Sequence, residues 1–378
     1  MEATIVGAGI AGLATAIGLG RAGWRVRLIE ERDVPGALGA GLTLWPNAIH
    51  ALRWLGLGDQ VAAAGTAVAE GSLRDWRGRR LTTQDAGFIA ARLGAPLTAV
   101  HRVDLHSILT AAVPSGVELI TGHSVTTPVD LPGDLIVGAD GIRSSVRHTF
   151  ASQVGLRDSL QIAWRAVVPA GRVPGPFVGG ETLGRDGWRF GHLDLGPCGV
   201  YWYVSSPDAL HSGAPTQWKA ELAARFADWH DPIPALIEAT DPAALLQHEL
   251  FEVHPVAPMA VGGRVALIGD AAHAMTPNLG QGACQALEDA VTLSCLLADP
   301  DAGSAALAAS LARFDAVRRP RVRSISRQSW WAGKVFGTRS RPGGAAVRTA
   351  LRLVPDRIAL DGVTRVADWR PPCAPPFV

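Results

Sequence analysis

Three glycine-centred stretches hold the residues of this chain whose types and spacing could do chemistry. The first, Gly7-Ala8-Gly9-Ile10-Ala11-Gly12, has the spacing G-x-G-x-x-G. Each glycine answers a physical need: a tight turn, approach of backbone to a pyrophosphate, and close contact between helix and strand. A helix opening at Ile10 and Ala11 adds free N–H groups and a positive dipole end for phosphates. Glu30 stands 18 residues after Gly12, where an acid accepts hydrogen bonds from an adenosine ribose; Glu31 is the less favoured candidate. The second stretch runs from Gly269-Asp270-Ala271-Ala272-His273 to Pro277-Asn278-Leu279-Gly280-Gln281-Gly282-Ala283. Asp270, at a strand end, suits a polyol such as a ribityl chain. Gly280 and Gly282 let N–H groups approach a ring edge, and the helix beginning at Gln281 would stabilise an anionic reduced flavin. His273 beside a Gly-Asp turn reads as a structural hydrogen-bonder. In the third stretch, Gly138-Ala139-Asp140-Gly141, Asp140 ends a strand, and Arg143 and Arg147 sit one helical turn apart, able to hold phosphate or lock the Asp.

These residues need elements to place them. Residues 3–6, 11–21 and 24–30 read as strand, helix and strand, a β-α-β unit with parallel strands. Further helices are expected over 46–55, 103–113, 217–229 and 281–298, and short buried strands over 117–120, 135–137 and 264–268. Residues 161–168, 188–195 and 199–204 are rich in Trp, Tyr, Val and Phe between Gly/Pro turns, the pattern of antiparallel sheet. The chain therefore reads as α/β, a discontinuous parallel-sheet domain with a β-rich domain inserted and helices after 302.

Composition bounds the rest. The 378 residues are 48% hydrophobic and 18% charged, a globular balance with room for two or three domains. The net charge of +1 argues against nucleic acid or an anionic membrane as partner. Cys198, Cys284, Cys295 and Cys373 form no Cys-x-x-Cys pair and have no zinc-ligand spacing. They are expected to be reduced, mostly buried thiols of a cytoplasmic protein with no metal. No leader is recognisable and no apolar run reaches membrane-spanning length. The cluster Arg318-Arg319-Pro320-Arg321-Val322-Arg323 is expected to be a solvated helix end, and Trp330-Trp331 core.

With these stretches in order, the chain resembles the single-component, FAD-dependent aromatic hydroxylases (class A flavoprotein monooxygenases of the para-hydroxybenzoate hydroxylase type). The resemblance covers nearly the whole chain and is nearest to the smaller urate, hydroxynicotinate and salicylate hydroxylases. It extends to Gly41-Leu42-Thr43-Leu44-Trp45-Pro46-Asn47-Ala48, His101-Arg102-Val103-Asp104-Leu105 and Ala163-Trp164-Arg165. It implies a Rossmann-like FAD-binding domain of the glutathione-reductase type over 1–68, 96–158 and 256–300. A substrate domain would take 69–95 and 159–255, and a helical segment 301–378. It implies that NADH or NADPH reduces FAD, that O2 adds to the flavin, and that a C4a-hydroperoxide hydroxylates an electron-rich aromatic or heteroaromatic ring. Arg102 would hold the pyrophosphate region, Val125 would pack near adenine, and Gly41 to Trp45, including Thr43, would flank the flavin opposite Gly280 to Gly282. Pro277 is counted with both catalytic and cofactor-binding residues. The chain departs from the family in the short Thr126-to-Asp134 connection, in Glu31, where a basic residue is common, and in Asp194, where a proline is common.

On the substrate side, strand alternation groups Arg189, Gly191 and Leu193 on one face, and Val200 and Trp202 on another. By resemblance to urate hydroxylases, the positions of Arg189 and Trp202 face substrate, with tyrosine replaced by Trp202. His192, Tyr201 and Tyr203 are expected in the core, His192 also being the reserve candidate for a base. The expected partner is a small aromatic molecule, and the assembly a monomer or homodimer. Competing readings are a non-hydroxylating flavin scaffold, a carrier of the GDP-dissociation-inhibitor sort, and a flavin halogenase. The last lacks its Trp-x-Trp-x-Ile-Pro segment and catalytic lysine.

Overall fold

Four consecutive buried residues, Ala3 to Val6, form most of the strand Glu2–Val6, and only a strand covered on both faces reads that way. In a computed structural model, which describes residues 1–33, 40–207 and 213–375, it is central to a six-stranded sheet. The order is Ala260–Val261, Val265–Leu267, Leu135–Gly138, Glu2–Val6, Arg25–Ile29, Glu118–Ile120. All neighbours are parallel except the first pair. Helix Ile10–Arg21 links the parallel strands Glu2–Val6 and Arg25–Ile29.

A seven-stranded sheet has the order Leu246–His254, Gly155–Val168, Val200–Ser206, Arg189–Asp194, Gly180–Leu183, Glu70–Asp75, Arg80–Asp85. It is antiparallel except where Gly180–Leu183 lies beside Glu70–Asp75. One face buries Trp164, Phe190, Trp202 and Val204 in one core with Leu222 and Phe226 of helix Pro215–Phe226 and Ile233 and Leu236 of helix Ile233–Glu238. Phe190 stacks on Trp202 with ring centroids 5.4 Å apart. The other face turns toward a small sheet of Gly41–Leu44, Thr98–His101 and Thr66–Ala67, where Tyr201 presses on Gly41.

The helices Ile10–Arg21 and Gly282–Leu296 run side by side in the same direction. A Cβ on Gly269 would lie 3.0 Å from Ala11 and 3.4 Å from Ala286, and one on Gly18 would meet Ser294 Oγ at 2.2 Å. Small residues thus let the two helices approach closely, and both helix N-termini lie at one end of the pair.

Helix Gly282–Leu296 buries two neighbouring acids, Glu288 and Asp289, both 0% exposed. Arg318, also 0% exposed, ion-pairs with Glu288 through Nη1 and donates to Asp289 Oδ1 through Nε at 2.7 Å. Glu288 accepts further bonds from Arg321 (2.7 and 2.8 Å), Asn47 (2.6 Å) and Gln285 (2.8 Å). Asp289 also accepts from the Gly269 N–H at 2.9 Å and lies 2.6 Å from His273 Nε2, so His273 is structural as expected. Burial works against the Asp289 charge, but His273, Arg318 and the Gly269 amide outweigh it and hold its carboxyl below the usual range. Burial likewise opposes the charge on Arg318, and the two acids outweigh it, raising its pKa.

Three expectations are corrected here. The arginine cluster is no solvated helix end: it lies inside helix Ser304–Phe336, and Arg318 shares the buried stripe of Leu311, Phe314, Val322 and Ile325. Trp331 is 61% exposed, so it is not core, while half-buried Trp330 is covered by the Arg157 guanidinium at 3.7 Å. Cys295 and Cys373 form a disulfide; Cys284 is a buried thiol and Cys198 an exposed one. The last three residues of the expected 301–378 segment lie outside the described residues. No helix among the described residues is long and apolar enough to cross a membrane.

Replacing Arg318 with Met removes the fully buried cation that the two carboxylates share, leaving Glu288 only half-buried Arg321 and Asp289 only His273. We expect a loss of about 3–5 kcal/mol of unfolding free energy, measured by urea denaturation.

Candidate active site

The glycines divide by physical cause. Gly7 has φ +100°, and a Cβ there would lie 2.5 Å from Ala139 O. On Gly12 a Cβ would meet Gly7 O at 1.8 Å, so this glycine is required by the turn itself. Gly280, at φ +61°, is required by its left-handed backbone. Gly9 and Gly282 have neither reason: neither has a positive φ, and a Cβ on either would meet nothing within 4 Å. Each stands where a helix begins, at the same end of the parallel pair. Two adjacent positive dipole ends repel one another unless an anion lies before them. Bare glycine at both leaves room for backbone N–H groups to touch that anion, and this arrangement fits a dinucleotide with a pyrophosphate and a ring edge.

The neighbouring side chains fit the same group. Glu30 is half-buried, its carboxylate accepting the Ala8 N–H at 2.8 Å and the Arg32 N–H at 3.2 Å. It is thus fixed against the first glycine turn, whereas Glu31 is exposed. Ile10 is half-buried and Ala11 buried against Gly269. Asp270 is exposed at the first turn of the short helix Asp270–His273. Arg102 opens helix Arg102–Ala111 and is solvent-accessible. Loss of hydration lowers its pKa; Asp270 opposes that, while Arg165 and Arg32 add to it. A reachable guanidinium surrounded by such groups lines a cleft. Pro277 and Gly280 are exposed, Ala283 half-buried, and Val125 half-buried against the main core. Thr43 O lies 3.8 Å from Cys284 Sγ, which ties strand Gly41–Leu44 to helix Gly282–Leu296.

Some residues have their side chains committed elsewhere. Asp140 Oδ2 accepts from Ser145 and Val146 N–H at 2.7 and 3.1 Å, capping helix Ser145–Phe150. Arg147 does lock this turn, but through carbonyls: it donates to Ile142 O at 2.6 Å and Ala271 O at 2.9 Å, while Arg143 is exposed. Gln281 Oε1 accepts from Asn47 and Gln285, which leaves its backbone facing the site. Gly41 is glycine because a Cβ would lie 2.5 Å from the Tyr201 ring.

The substrate-side expectation changes most. Arg189 is cross-strand from Ser205, and Gly191 from Tyr203, so Tyr201 and Tyr203 share the face of Arg189. Trp202 pairs with His192 on the opposite face, 0% exposed, its Nε1 donating to Thr240 Oγ1 at 2.9 Å. Arg189 and Trp202 therefore do not share a face; Arg189 shares its face with Tyr201 and Tyr203. Tyr201 is buried in a core cluster with Ala40, Ala99 and Leu195, with Tyr203 packed against it, as expected. These are the chain's two tyrosines, so a phenol is not missing from this face. His192 leaves the site with Trp202. Burial first, then His230, lowers its pKa to about 4. Arg189 donates to Ser205 Oγ at 3.2 Å and to Asn278 Oδ1 on the turn before Gly280. Sheet and glycine loop thus meet at one place. Asn47, Glu288 and Arg318, which brace that loop, were not anticipated. Two acids inside an apolar helix, and an arginine on an apolar stripe, were their legible signals.

A family model described as an FAD binding domain matches residues 1–126 and 115–329. The chain is 35% identical over 346 residues to the Stigmatella aurantiaca aurachin C monooxygenase/isomerase, covering 88% of each. It is 35% identical over 381 residues to a Pseudomonas aeruginosa 2-heptyl-3-hydroxy-4(1H)-quinolone synthase, covering 94% of this chain and 95% of the other. Its fold matches the crystal structure of Klebsiella pneumoniae HpxO complexed with FAD and uric acid, with TM-score 0.87, 27% identity and coverage of 97% and 96%. The chain belongs to the class A FAD-dependent aromatic hydroxylases and is an FAD-dependent monooxygenase.

Two predictions follow from this geometry. Gly12→Ala prevents normal folding. Gly9→Ala changes the unfolding free energy of the FAD-free protein by less than about 1 kcal/mol yet raises the FAD Kd roughly tenfold or more, read by flavin fluorescence. The second concerns His192, whose pKa of about 4 lies below the ordinary 6.5. Its lowered pKa means stability falls as pH drops from 6.5 toward 4, where the unfolded chain takes the proton first. His192→Gln should remove roughly 2–3 kcal/mol of the difference between urea unfolding at pH 7 and pH 4.5.

Proposed function

We propose that the protein is a single-component hydroxylase that uses NADH or NADPH and O2 to place one oxygen atom on an electron-rich aromatic or heteroaromatic small molecule. The observation that carries this reading is the meeting of the Gly280 turn with the Arg189–Tyr201–Tyr203 face through Asn278. Bound FAD, reduced by the nicotinamide and reacting with O2, supplies the electrophilic oxygen. The protein supplies position, charge and exclusion of water.

In this reading 1–68, 96–158 and 256–300 form a glutathione-reductase-type dinucleotide domain, and 69–95 with 159–255 an inserted substrate domain. Residues 301–378 brace the two. Gly7 to Gly12 and Arg102 hold the pyrophosphate, Glu30 the ribose, Asp270 the ribityl chain, and Gly280 to Ala283 the ring edge. Val125 lies toward the adenine. The N-termini of both helices favour the negative charge the cofactor carries and gains on reduction. Arg189 and the two tyrosines hold the substrate ring, with Tyr201 wedged on Gly41 as a fixed wall. The other G-x-G-x-x-G spacing, Gly18 to Gly23, lies at the C-terminal end of helix Ile10–Arg21 and opens no helix, so it offers no second dinucleotide turn, which fits transient docking of the nicotinamide donor. A cytoplasmic location remains part of the proposal; the Cys295–Cys373 bond weighs against it, because a reducing compartment keeps most thiols unpaired.

The test is a panel of phenols and N-heteroaromatics with NADH or NADPH under 18O2. At least one should accelerate nicotinamide oxidation and appear as product with a single labelled oxygen. FAD-loaded protein that neither consumes nicotinamide faster nor yields oxygenated product with any of them would be a non-hydroxylating flavin scaffold.

A further inference from the structure

The site face contains an acid that the hydroxylation reading does not use. Glu181 Oε1 lies 3.2 Å from Arg189 Nη1, with side chains 19% and 2% exposed respectively. An arginine this deep needs a counter-charge, and Glu181 supplies it, so the pair is tolerated as a neutral unit. Burial still pushes the Glu181 carboxyl up, Arg189 opposing.

Hydrogen-bonding capacity is left over on both partners. Arg189 Nε and Nη1 have no hydrogen-bond acceptor among the described residues. A guanidinium keeps all its protons at any ordinary pH, so these are permanent donors. On Glu181, no donor besides Arg189 is placed among the described residues. Buried donors and acceptors left unmatched are costly, and such a group in a folded protein calls for an explanation.

The surroundings fix the pair and shape one side of it. Arg189 is held by Ser205 and by Asn278 at the Gly280 turn. Glu181 stands cross-strand from Gly191, and a Cβ at 191 would lie 2.2 Å from the Tyr203 ring. The absent side chain lets that ring lie across the sheet beside the acid, whose charge helps hold the Tyr203 hydroxyl well above its ordinary pKa, after burial itself. A flat wall therefore stands next to the spare donors of Arg189 and a spare acceptor on Glu181.

Resting on the reading that this face takes the aromatic substrate, we propose that Arg189 and Glu181 form a paired subsite selecting a ring with adjacent N–H and C=O groups, a cyclic amide of the 2-pyridone or 2-quinolone kind. The ring carbonyl accepts from Arg189 and the ring N–H donates to Glu181. A carboxylated phenol such as salicylate would place its anion against the Glu181 carboxylate, and a simple phenol would match one partner only. Selectivity comes from leaving the unmatched group buried and unpaired, which discriminates more strongly than hydrophobic fit.

The experiment measures binding to the FAD-loaded protein by perturbation of the flavin absorbance, with 2-quinolone, N-methyl-2-quinolone and salicylate as probes. The parent should bind 2-quinolone roughly tenfold or more tighter than its N-methyl form, the value of one hydrogen bond to a charged acceptor. Salicylate should bind more weakly than 2-quinolone. Glu181→Ala should erase the N–H preference and tighten salicylate. Glu181→Gln keeps a carbonyl for Arg189, which guards against misfolding, and should reduce the preference. Equal binding of the N–H and N-methyl rings by the parent overturns the proposal, as does a preference that survives in both variants. If the Glu181-dependent preference is found but nothing is oxygenated, the hydroxylase reading fails and the subsite stands. If phenols are oxygenated and the preference is absent, the subsite alone fails.

Discussion

Two adjacent carboxylates, Glu288 and Asp289, lie where water cannot share their charge, and the rest of the architecture is arranged around that fact. Leaving either unpaired would cost several kcal/mol, so Arg318 must stay opposite them, and with it the helix Ser304–Phe336 that carries it. The same two carboxylates accept from the Gly269 amide, from Asn47 and from Arg321, with His273 alongside. The turn that presents Asp270 and the helix that begins at Gly282 are therefore fixed by one set of charges. A binding surface made largely of backbone has few side chains of its own to stiffen it, and here the stiffness is supplied from behind.

The antiparallel sheet divides its labour by face. Trp164, Phe190 and Trp202 form a dry core with the helices behind, which is what aromatic residues do most readily. The opposite face holds the polar and ionisable residues, Arg165, Arg189, Glu181, Tyr201 and Tyr203, and is closed by Gly41 and Asn278 from other parts of the chain. A rigid apolar layer lets the polar layer keep hydrogen-bonding groups in fixed positions without collapsing onto them.

What was legible in the sequence had local physical causes. The turns at Gly7, Gly12 and Gly280 could be read because a backbone angle or a close contact leaves few residue types possible. The elements flanking them emerge within a residue or two of where periodicity puts them, as for helix Arg102–Ala111 and strand Leu135–Gly138. Alternation within each strand was readable too: Arg189, Gly191 and Leu193 do share a face. The phase between strands was not. A slip of one residue across the connection from Asp194 to Val200 exchanges every side chain between faces, and that slip turned Trp202 inward and Tyr201 toward the site. Arg318 was hidden by its neighbours, since four arginines in six positions look like a solvated surface although the fourfold spacing from Phe314 to Val322 marks one of them as buried. The Cys295–Cys373 bond joins positions 78 residues apart, and no local pattern announces such a pairing.

That bond has a topological consequence. It closes the stretch from 295 to 373 into a covalent ring containing all of helix Ser304–Phe336, Arg318 included. The exposed connection at Arg339 and Ser340 is a natural place for a protease to cut. A cut there would not release the C-terminal segment, because the two new ends would remain parts of one molecule. The tail residue Cys373 also accepts the Trp54 indole N–H at 3.0 Å through its carbonyl, so the severed piece would keep its seat. The last part of the chain thus behaves as a hasp: it can be broken along its length and still hold shut.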